Sequence, residues 1–573
     1  MSTGTILNIS DNVLIVNGLN SCFVGEVIMI DSFVSNEFNS EKEDPRAIVM
    51  NLEEDVVRIV LYKGSMDDLR VGSSVYRTYK SVKAVVGLCL LGTIVSPLGD
   101  LLDTNKSLEE YTWSRLSSFN QISIFRSAPD IISRDPVCIP FITGIMAIDC
   151  FLPIGFGQRE LVIGDLNTGK TSLAVTMILN QKFIINTVDL VWRSIESAYK
   201  LHRKVVRFTP CLYLLVGKRR SEVIRIQNVL IKNNAFHYTC IIYAGCDMKA
   251  ALLYIAPFAV TAMGEWFMHK GYHAIMVFDD LSEHAVAYRQ IALLLRRPPG
   301  REAYPGDIFF LHSKLLERCA QLTKNLGGGS LTCIPIIETK MGDISAYIPT
   351  NVISITDGQI FLSKAMLNRG IRPAIYLELS VSRVGSKAQY TAMKEVSNVL
   401  RRDYRLFKDY EVMSKVSTDL DSRFIKYIER GRLIRKLFSQ KLYQSYPYLK
   451  EVLSIHFLNK GFFDDINQKY IDIIIGLLFN GNFSHVYLKK LDKPYEWFTF
   501  LHYEKQLHIE SLLMVSSIKV VDPYFVKIFE LFINFFYDHL IPKLDIDTKG
   551  SYLKSLFRLS LKVRKAFSTT KYI

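Results

Sequence analysis

None of the nine cysteines, Cys22, Cys89, Cys138, Cys150, Cys211, Cys240, Cys246, Cys319 and Cys333, forms a C-x-x-C pair. An odd number at scattered spacing argues for reduced thiols, and against a zinc site or a disulfide framework. Long hydrophobic runs are lacking too. No stretch approaches about 18 uncharged apolar residues, the least expected of a spanning helix. The nearest candidate, Phe525 to Ile541, carries Lys527, Glu530 and Asp538 and reads as an amphipathic or core helix. The chain is therefore expected not to span a membrane by itself. The N-terminus reads Met-Ser-Thr-Gly-Thr-Ile-Leu-Asn-Ile-Ser. It has no basic region ahead of an apolar core and no Arg-rich amphipathic presequence. The reading is a protein made where it works, or one whose targeting segment has been trimmed. A disorder signature is also missing, since 49% of residues are hydrophobic and 22% charged, a globular balance with ample core.

The 573 residues are enough for about three or four domains. The net charge of +14 admits two readings, a nucleic-acid partner or compositional drift toward lysine. Basic residues are spread along the chain, with only short clusters such as Lys218-Arg219-Arg220 and Arg432 to Lys436. Drift is favoured, and no nucleic-acid partner is expected.

Short β-like runs open the chain: Thr5–Ile9, Val13–Val16, Val27–Ile30, Ala47–Met50 and Val56–Val60. Turn residues such as Asn17-Gly18 separate them, and the spacing predicts a small N-terminal β-barrel over residues 1–81. Over residues 82–388, strand-like runs alternate with helical patterns, as in an α/β nucleotide-binding domain. Residues 389–573 read as largely helical. The segment 183–209 is longer than a compact connection needs and is read as an insertion.

The most specific signal is Gly164-Asp165-Leu166-Asn167-Thr168-Gly169-Lys170-Thr171, followed by Ser172. It is G-x-x-x-x-G-K-[ST] between an apolar run and a helical pattern, the setting a phosphate loop requires. Glycines let successive N–H groups turn toward one point, and the following helix adds its positive end. Lys170 supplies a point charge for the β- and γ-phosphates, and Thr171 a hydroxyl for Mg²⁺. The run Ala274-Ile275-Met276-Val277-Phe278-Asp279-Asp280 reads as a buried strand delivering a carboxylate, Asp279, to the same ion. Together they predict a P-loop ATPase domain of the RecA-like kind, with ATP or ADP and Mg²⁺ as cofactors.

Here a resemblance becomes specific. Pro153–Glu160, Ala285–Gln290, Leu293–Asp307, Asp343–Gln359 and Ser380–Ser386 resemble the α subunit of F-type ATP synthase. The resemblance covers roughly Gly4 to Gln444 and is strongest from Phe141 to Asn180 and from His273 to Ser386. It implies a three-domain chain: a β-barrel, a RecA-like domain and a C-terminal helical domain. It also implies an alternating hexamer with β subunits, a central rotor stalk and peripheral stalk subunits. The membrane is then reached only through the rest of the complex. Gly327–Leu331 and His284 are closer to the mitochondrial version, which implies the matrix side of the mitochondrial inner membrane.

The resemblance assigns further roles. In this family only β turns over ATP, using a glutamate at the end of the strand after the phosphate-loop helix; α has glutamine there. This chain has Lys218, in Val216-Gly217-Lys218-Arg219-Arg220. A charged lysine cannot accept a proton, so the site is expected to hold ATP without turnover. Arg383 falls at the position of an arginine finger acting in trans on β. Arg372 and Pro373 resemble the adenine-pocket pair, and Gln440 one of two adenine-contacting glutamines. Leu442 stands at the second glutamine position, and Leu166 and Asn167 where Arg and Gln are usual. Arg296 to Asp307 resembles the sleeve around the rotor. The family's helix ahead of the barrel has no counterpart, and the last ~120 residues, rich in Phe, Tyr and Lys, diverge. A Rho-like hexameric RNA translocase is the alternative from another class. A purely structural ring subunit that no longer binds nucleotide is a third.

Overall fold

The computed structural model describes residues 3–19, 21–31, 45–66, 69–102, 120–182, 208–413 and 422–459. Nearly all of the expected insertion at 183–209, and all of the divergent tail including Phe525 to Ile541, lie outside them. The described residues fall into two compact units. One lies within 1–143, 152–185 and 206–388, the other within 144–151 and 389–459.

The first unit begins with a closed barrel. Its strands, in chain order, are Thr3–Ser10, Val13–Asn17, Glu26–Ile30, Arg46–Leu52, Val57–Lys63 and Ser74–Ser81. The last, Ser-Val-Tyr-Arg-Thr-Tyr-Lys-Ser, pairs with both the first and the third strand and so closes the barrel. Period-two patterning would have marked it as a strand, but its polar positions hid it among turn residues. Ile6, Leu14, Val16, Ile28, Val49, Ile59, Leu61 and Val75 fill the barrel core.

The same unit carries an eight-stranded sheet. Its order is Val381–Ser382, Gly358–Leu362, Glu160–Asp165, Ser330–Thr339, His273–Asp279, Cys211–Lys218, Thr239–Gly245 and Ile94–Val95. Only Val381–Ser382 runs antiparallel to its neighbour. The parallel strands are buried on both faces, which is why they read as continuous apolar runs. Register brings the carboxyl ends of the central strands to one edge: Gly164 lies opposite Glu338, and Leu215 opposite Asp279. Open α/β sheets bind ligands at this edge.

Helix Ala250–His269 is long and apolar enough to cross a membrane, a feature the sequence reading passed over. It is instead a core helix, 83% of it buried inside the fold. It packs on strands Cys211–Lys218 and His273–Asp279, with helix Leu281–Leu294 beside it.

Two histidines are sealed beside that helix. His284 Nδ1 lies 3.4 Å from His312 Nε2, and His284 Nε2 lies 3.1 Å from the Tyr254 carbonyl oxygen. Burial lowers the pKa of His284 to about 4 and of His312 to about 3. The unfolded chain takes up these protons near pH 6.5, whereas the folded chain refuses them until about pH 4. Protons therefore favour unfolding, and stability falls as pH drops from about 6.5 toward 4. Urea midpoints at pH 7 and pH 5 check this. His312→Leu is expected to lose less stability over that interval than the wild type; an equal loss would show that other groups carry the effect.

Gly358 sets how closely Val381–Ser382 approaches the sheet. A Cβ there would lie 2.3 Å from the Val381 carbonyl oxygen and 2.4 Å from Glu160 Oε2. Gly358→Ala is expected to cost about 1–3 kcal/mol through overpacking, read as a lower urea midpoint at unchanged m-value. A midpoint within error of wild type would mean that the edge strand yields freely.

In the second unit, helices Met146–Phe151, Thr391–Met413, Ser422–Leu437 and Tyr448–Asn459 pack together. The Phe151 ring meets Tyr404 and Phe438, each at a centroid distance of 5.3 Å.

Candidate functional site

Strand Glu160–Asp165 runs into a tight loop, and a helix over residues 170–182 follows it. Asn167 and Gly169 turn the chain with φ of 62° and 98°. Gly169 suits that left-handed backbone at little cost. A Cβ on Gly164 would lie 2.7 Å from the Leu362 carbonyl oxygen and 2.9 Å from Thr168 Oγ1, so the loop entrance admits only glycine without adjustment. Thr168 Oγ1 donates to the Asp165 carbonyl oxygen at 2.8 Å, and Ser172 Oγ to that of Gly169 at 2.9 Å. Leu166 points into solvent, 59% exposed.

Lys170 is buried against this loop. Its Nζ donates to the carbonyl oxygens of Gly164 at 2.9 Å and Asp165 at 2.6 Å, and lies 3.9 Å from Glu338 Oε2. Burial pulls its pKa below the usual lysine value, while Glu338 and Asp280 oppose that pull. A phosphate group would give this ammonium the anionic partner that two carbonyls supply only in part.

Asp279 comes from the next strand but one. Its Oδ2 accepts from Thr171 Oγ1 at 2.7 Å and from the Tyr213 hydroxyl at 2.9 Å. Burial raises its pKa, and Lys218 is the main opposing charge. A hydroxyl and a carboxylate oxygen in contact at a helix start are the hard oxygen donors that Mg²⁺ takes while keeping most of its waters. Thr171 and Asp279 thus fit that ion, and the loop with Lys170 fits a polyphosphate.

Lys218 stands beside them, at the end of strand Cys211–Lys218. Its Nζ is 2.8 Å from Asp280 Oδ2. Burial works against its charge, but Asp280 and Asp279 outweigh burial and hold its pKa above the usual lysine range. Asp280 also caps helix Leu281–Leu294 by accepting from the Glu283 N–H at 2.9 Å. Glu283 packs on Gly217 and, through burial and the neighbouring Asp280, has a raised pKa.

Three further carboxylates line this site beside those the motifs predict: Asp280, Glu283 and Glu338. Glu338 ends an apolar strand, Ser330–Thr339, the same signal that marked Asp279. Glu283 carries no such signal, because only the turn of helix Leu281–Leu294 brings it to Gly217.

Arg383 sits elsewhere. Ser382 pairs with Gly358, which pairs with Glu160 at the amino end of the phosphate-loop strand. Five residues along that strand separate this end from the loop, roughly 16 Å at ~3.3 Å per residue. The Arg383 N–H donates to the Asp357 carbonyl oxygen at 2.8 Å, and the Arg159 guanidinium grips the Asp357 carboxylate at 2.7 and 2.9 Å. Arg383 is exposed, and its guanidinium makes no hydrogen bond or ion pair among the described residues.

Arg372 and Pro373 lie in the first unit, Arg372 exposed and the bond between them cis. Gln440 lies in the second unit, where its amide is fully engaged. Oε1 accepts from the Met146 N–H at 3.0 Å, and Nε2 donates to the carbonyl oxygens of Gly144 at 2.9 Å and Gln444 at 3.3 Å. Leu442 is 56% exposed. In the loop Arg296 to Asp307, Arg297 reaches the barrel through Asn51 Oδ1 and the Met50 carbonyl oxygen, at 2.5 and 3.2 Å.

Comparison with known proteins bears on this arrangement. The beta-barrel domain of the ATP synthase alpha/beta family matches residues 21–79, its nucleotide-binding domain residues 144–382, and its C-terminal domain residues 389–481. The ATP synthase subunit alpha of Clostridium kluyveri is 42% identical over 81% of this chain and 84% of its own length. The chain belongs to the ATP synthase alpha/beta family. Proteins of the same name from Caldanaerobacter subterraneus and Ehrlichia ruminantium are also 42% identical, over 83% and 84% of this chain and 86% and 91% of theirs. The family's three domains agree with the barrel, the P-loop sheet and the helices of the second unit. Family membership makes this a nucleotide-binding chain and does not favour the RNA-translocase alternative.

Proposed function

We propose that this chain is the non-catalytic α subunit of a proton-translocating F-type ATP synthase. It binds Mg-ATP at Gly164–Ser172, Lys170 and Thr171, with Asp279 sharing the ion, and does not turn the nucleotide over. Arg383 acts instead on the catalytic site of a neighbouring β subunit. The ring of alternating subunits encloses a rotor stalk, is held by a peripheral stalk, and sits on the matrix face of the mitochondrial inner membrane. That compartment rests on the resemblance of Gly327–Leu331, with His284 compatible; the relatives named above are bacterial. The resemblance assigns Arg372 and Pro373 to the adenine pocket.

One observation carries the non-catalytic reading: the ammonium of Lys218, 2.8 Å from Asp280. In-line attack on the γ-phosphate needs a residue that orients the attacking water, and the resemblance implies a glutamate at this strand end in the catalytic subunit. The strand delivers a cation there, while Asp279 is engaged by Thr171 and Tyr213. Thr171 and Asp279 would hold Mg²⁺, which would supply charge neutralisation to the phosphates, and Lys170 would fix the phosphate chain.

The test is a single-turnover measurement on the purified full chain. Labelled Mg-ATP is loaded, excess is removed, and the bound nucleotide is identified over hours. Recovery as ATP is expected. Steady conversion to ADP on the chain would overturn the non-catalytic assignment.

A further inference from the structure

Two ammonium groups and four carboxylates converge at the mouth of the phosphate loop. Lys170 and Lys218 both feel Asp279, Asp280 and Glu338, and Glu283 feels Lys218, Asp280 and Glu338. A polyphosphate entering this cluster meets an excess of negative charge. Lys170 is committed to the loop itself, through the Gly164 and Asp165 carbonyl oxygens. Lys218 is differently placed. It extends from the strand end, its side chain 27% exposed, and a single contact of 2.8 Å holds it to Asp280. Asp280 has a second partner in the Glu283 N–H, so it does not lose all compensation if Lys218 shifts. The lysine stem can therefore swing its ammonium between Asp280 and an incoming anion, a freedom that the short polar side chains at this site lack.

We propose that Lys218 is a specificity-determining residue that makes this site prefer a nucleoside triphosphate over a diphosphate. The inference rests on the nucleotide-binding reading above and adds what selects the nucleotide. The loop N–H groups and Lys170 serve the β-phosphate that ATP and ADP share, and Lys170 also reaches toward the γ-phosphate. Lys218, paired with Asp280 and within the field of Lys170, Asp279 and Glu338, adds a second cation for the terminal phosphate that ADP lacks. Each ammonium–phosphate contact is a charge-assisted hydrogen bond, and its energy is retained only by the ligand that can make it. Moving Lys218 off Asp280 takes back part of that energy, so the selectivity is moderate.

The experiment is equilibrium dialysis of the purified full chain against labelled Mg-ATP and labelled Mg-ADP. The wild type, Lys218→Gln, Lys218→Arg and Lys170→Ala are compared. Lys218→Gln is expected to weaken Mg-ATP about tenfold and Mg-ADP by no more than about twofold. Retained Mg-ADP binding shows that the variant is folded. Lys218→Arg keeps the charge and is expected to keep the preference. Equal weakening of both nucleotides by Lys218→Gln, or no weakening of either, would overturn the proposal. Lys170→Ala separates the two levels: if it abolishes binding while the Lys218 variants stay flat, the nucleotide site stands and only the selector role falls. Wild-type binding by Lys170→Ala would overturn both.

Discussion

Arg383→Lys is expected to slow ATP hydrolysis by a reconstituted ring of this chain with its β partner by roughly 10³–10⁵, the range that arginine fingers contribute. That is about 4–7 kcal/mol of barrier. The reason is geometric. In phosphoryl transfer, charge moves onto oxygens that the β subunit's own lysine and ion neutralise only in part. A planar guanidinium bridges two of them at once; an ammonium keeps the charge but not the fork, so lysine loses most of the effect. The structure supports an action in trans. Arg383 is exposed and Glu160 is its charge partner at longer range, while its backbone is pinned to Asp357 at 2.8 Å. It also lies at the opposite end of the strand from Lys170, so mutation should leave this chain's own Mg-ATP affinity nearly unchanged. Steady-state hydrolysis and Mg-ATP binding by the full chain check the two halves. Near-normal turnover, or loss of binding at the chain's own site, would show the role to be misassigned.

Lys170→Ala is expected to weaken Mg-ATP binding by the full chain about a hundredfold or more, since charged hydrogen bonds lost in a buried site carry about 1.5–3 kcal/mol each. Lys170 has only 7% of its surface exposed, so little solvent screens its pull on the phosphates. Under the proposed non-catalytic role, a ring built with this variant should still hydrolyse ATP at first. Immediate loss of hydrolysis, together with loss of binding, would place catalysis in this chain instead. A variant that binds normally would remove Lys170 from the phosphate site.

The phosphate loop was legible because its chemistry is local. Gly164, Gly169, Lys170 and Thr171 follow one another in sequence, and the backbone conformation that cradles a phosphate depends on those residues in that order. Asp279 was legible because an apolar strand ending in an acid delivers it to the sheet edge. Glu338 has the same signature and was passed over, because it lies outside the matching motifs. Helix Ala250–His269 misleads in the opposite direction. Its apolar length meets the membrane criterion, yet strands on one side and a helix on another cover it.

Sequence alone determined the family, the order of barrel, P-loop domain and helical domain, and the presence of a lysine, Lys218, at the end of an apolar run. These follow from contiguous motifs and from hydrophobic period, which survive without knowledge of neighbours. Tertiary structure alone decided what that lysine does. Lys218 and Asp280 are 62 residues apart, and only the parallel register of their adjacent strands sets an ammonium against that carboxylate. It also decided that Arg383 stands at the far end of the strand from Lys170. Side-chain charge can be read from a sequence, but its partner depends on strand order, and strand order is settled by how the whole sheet packs.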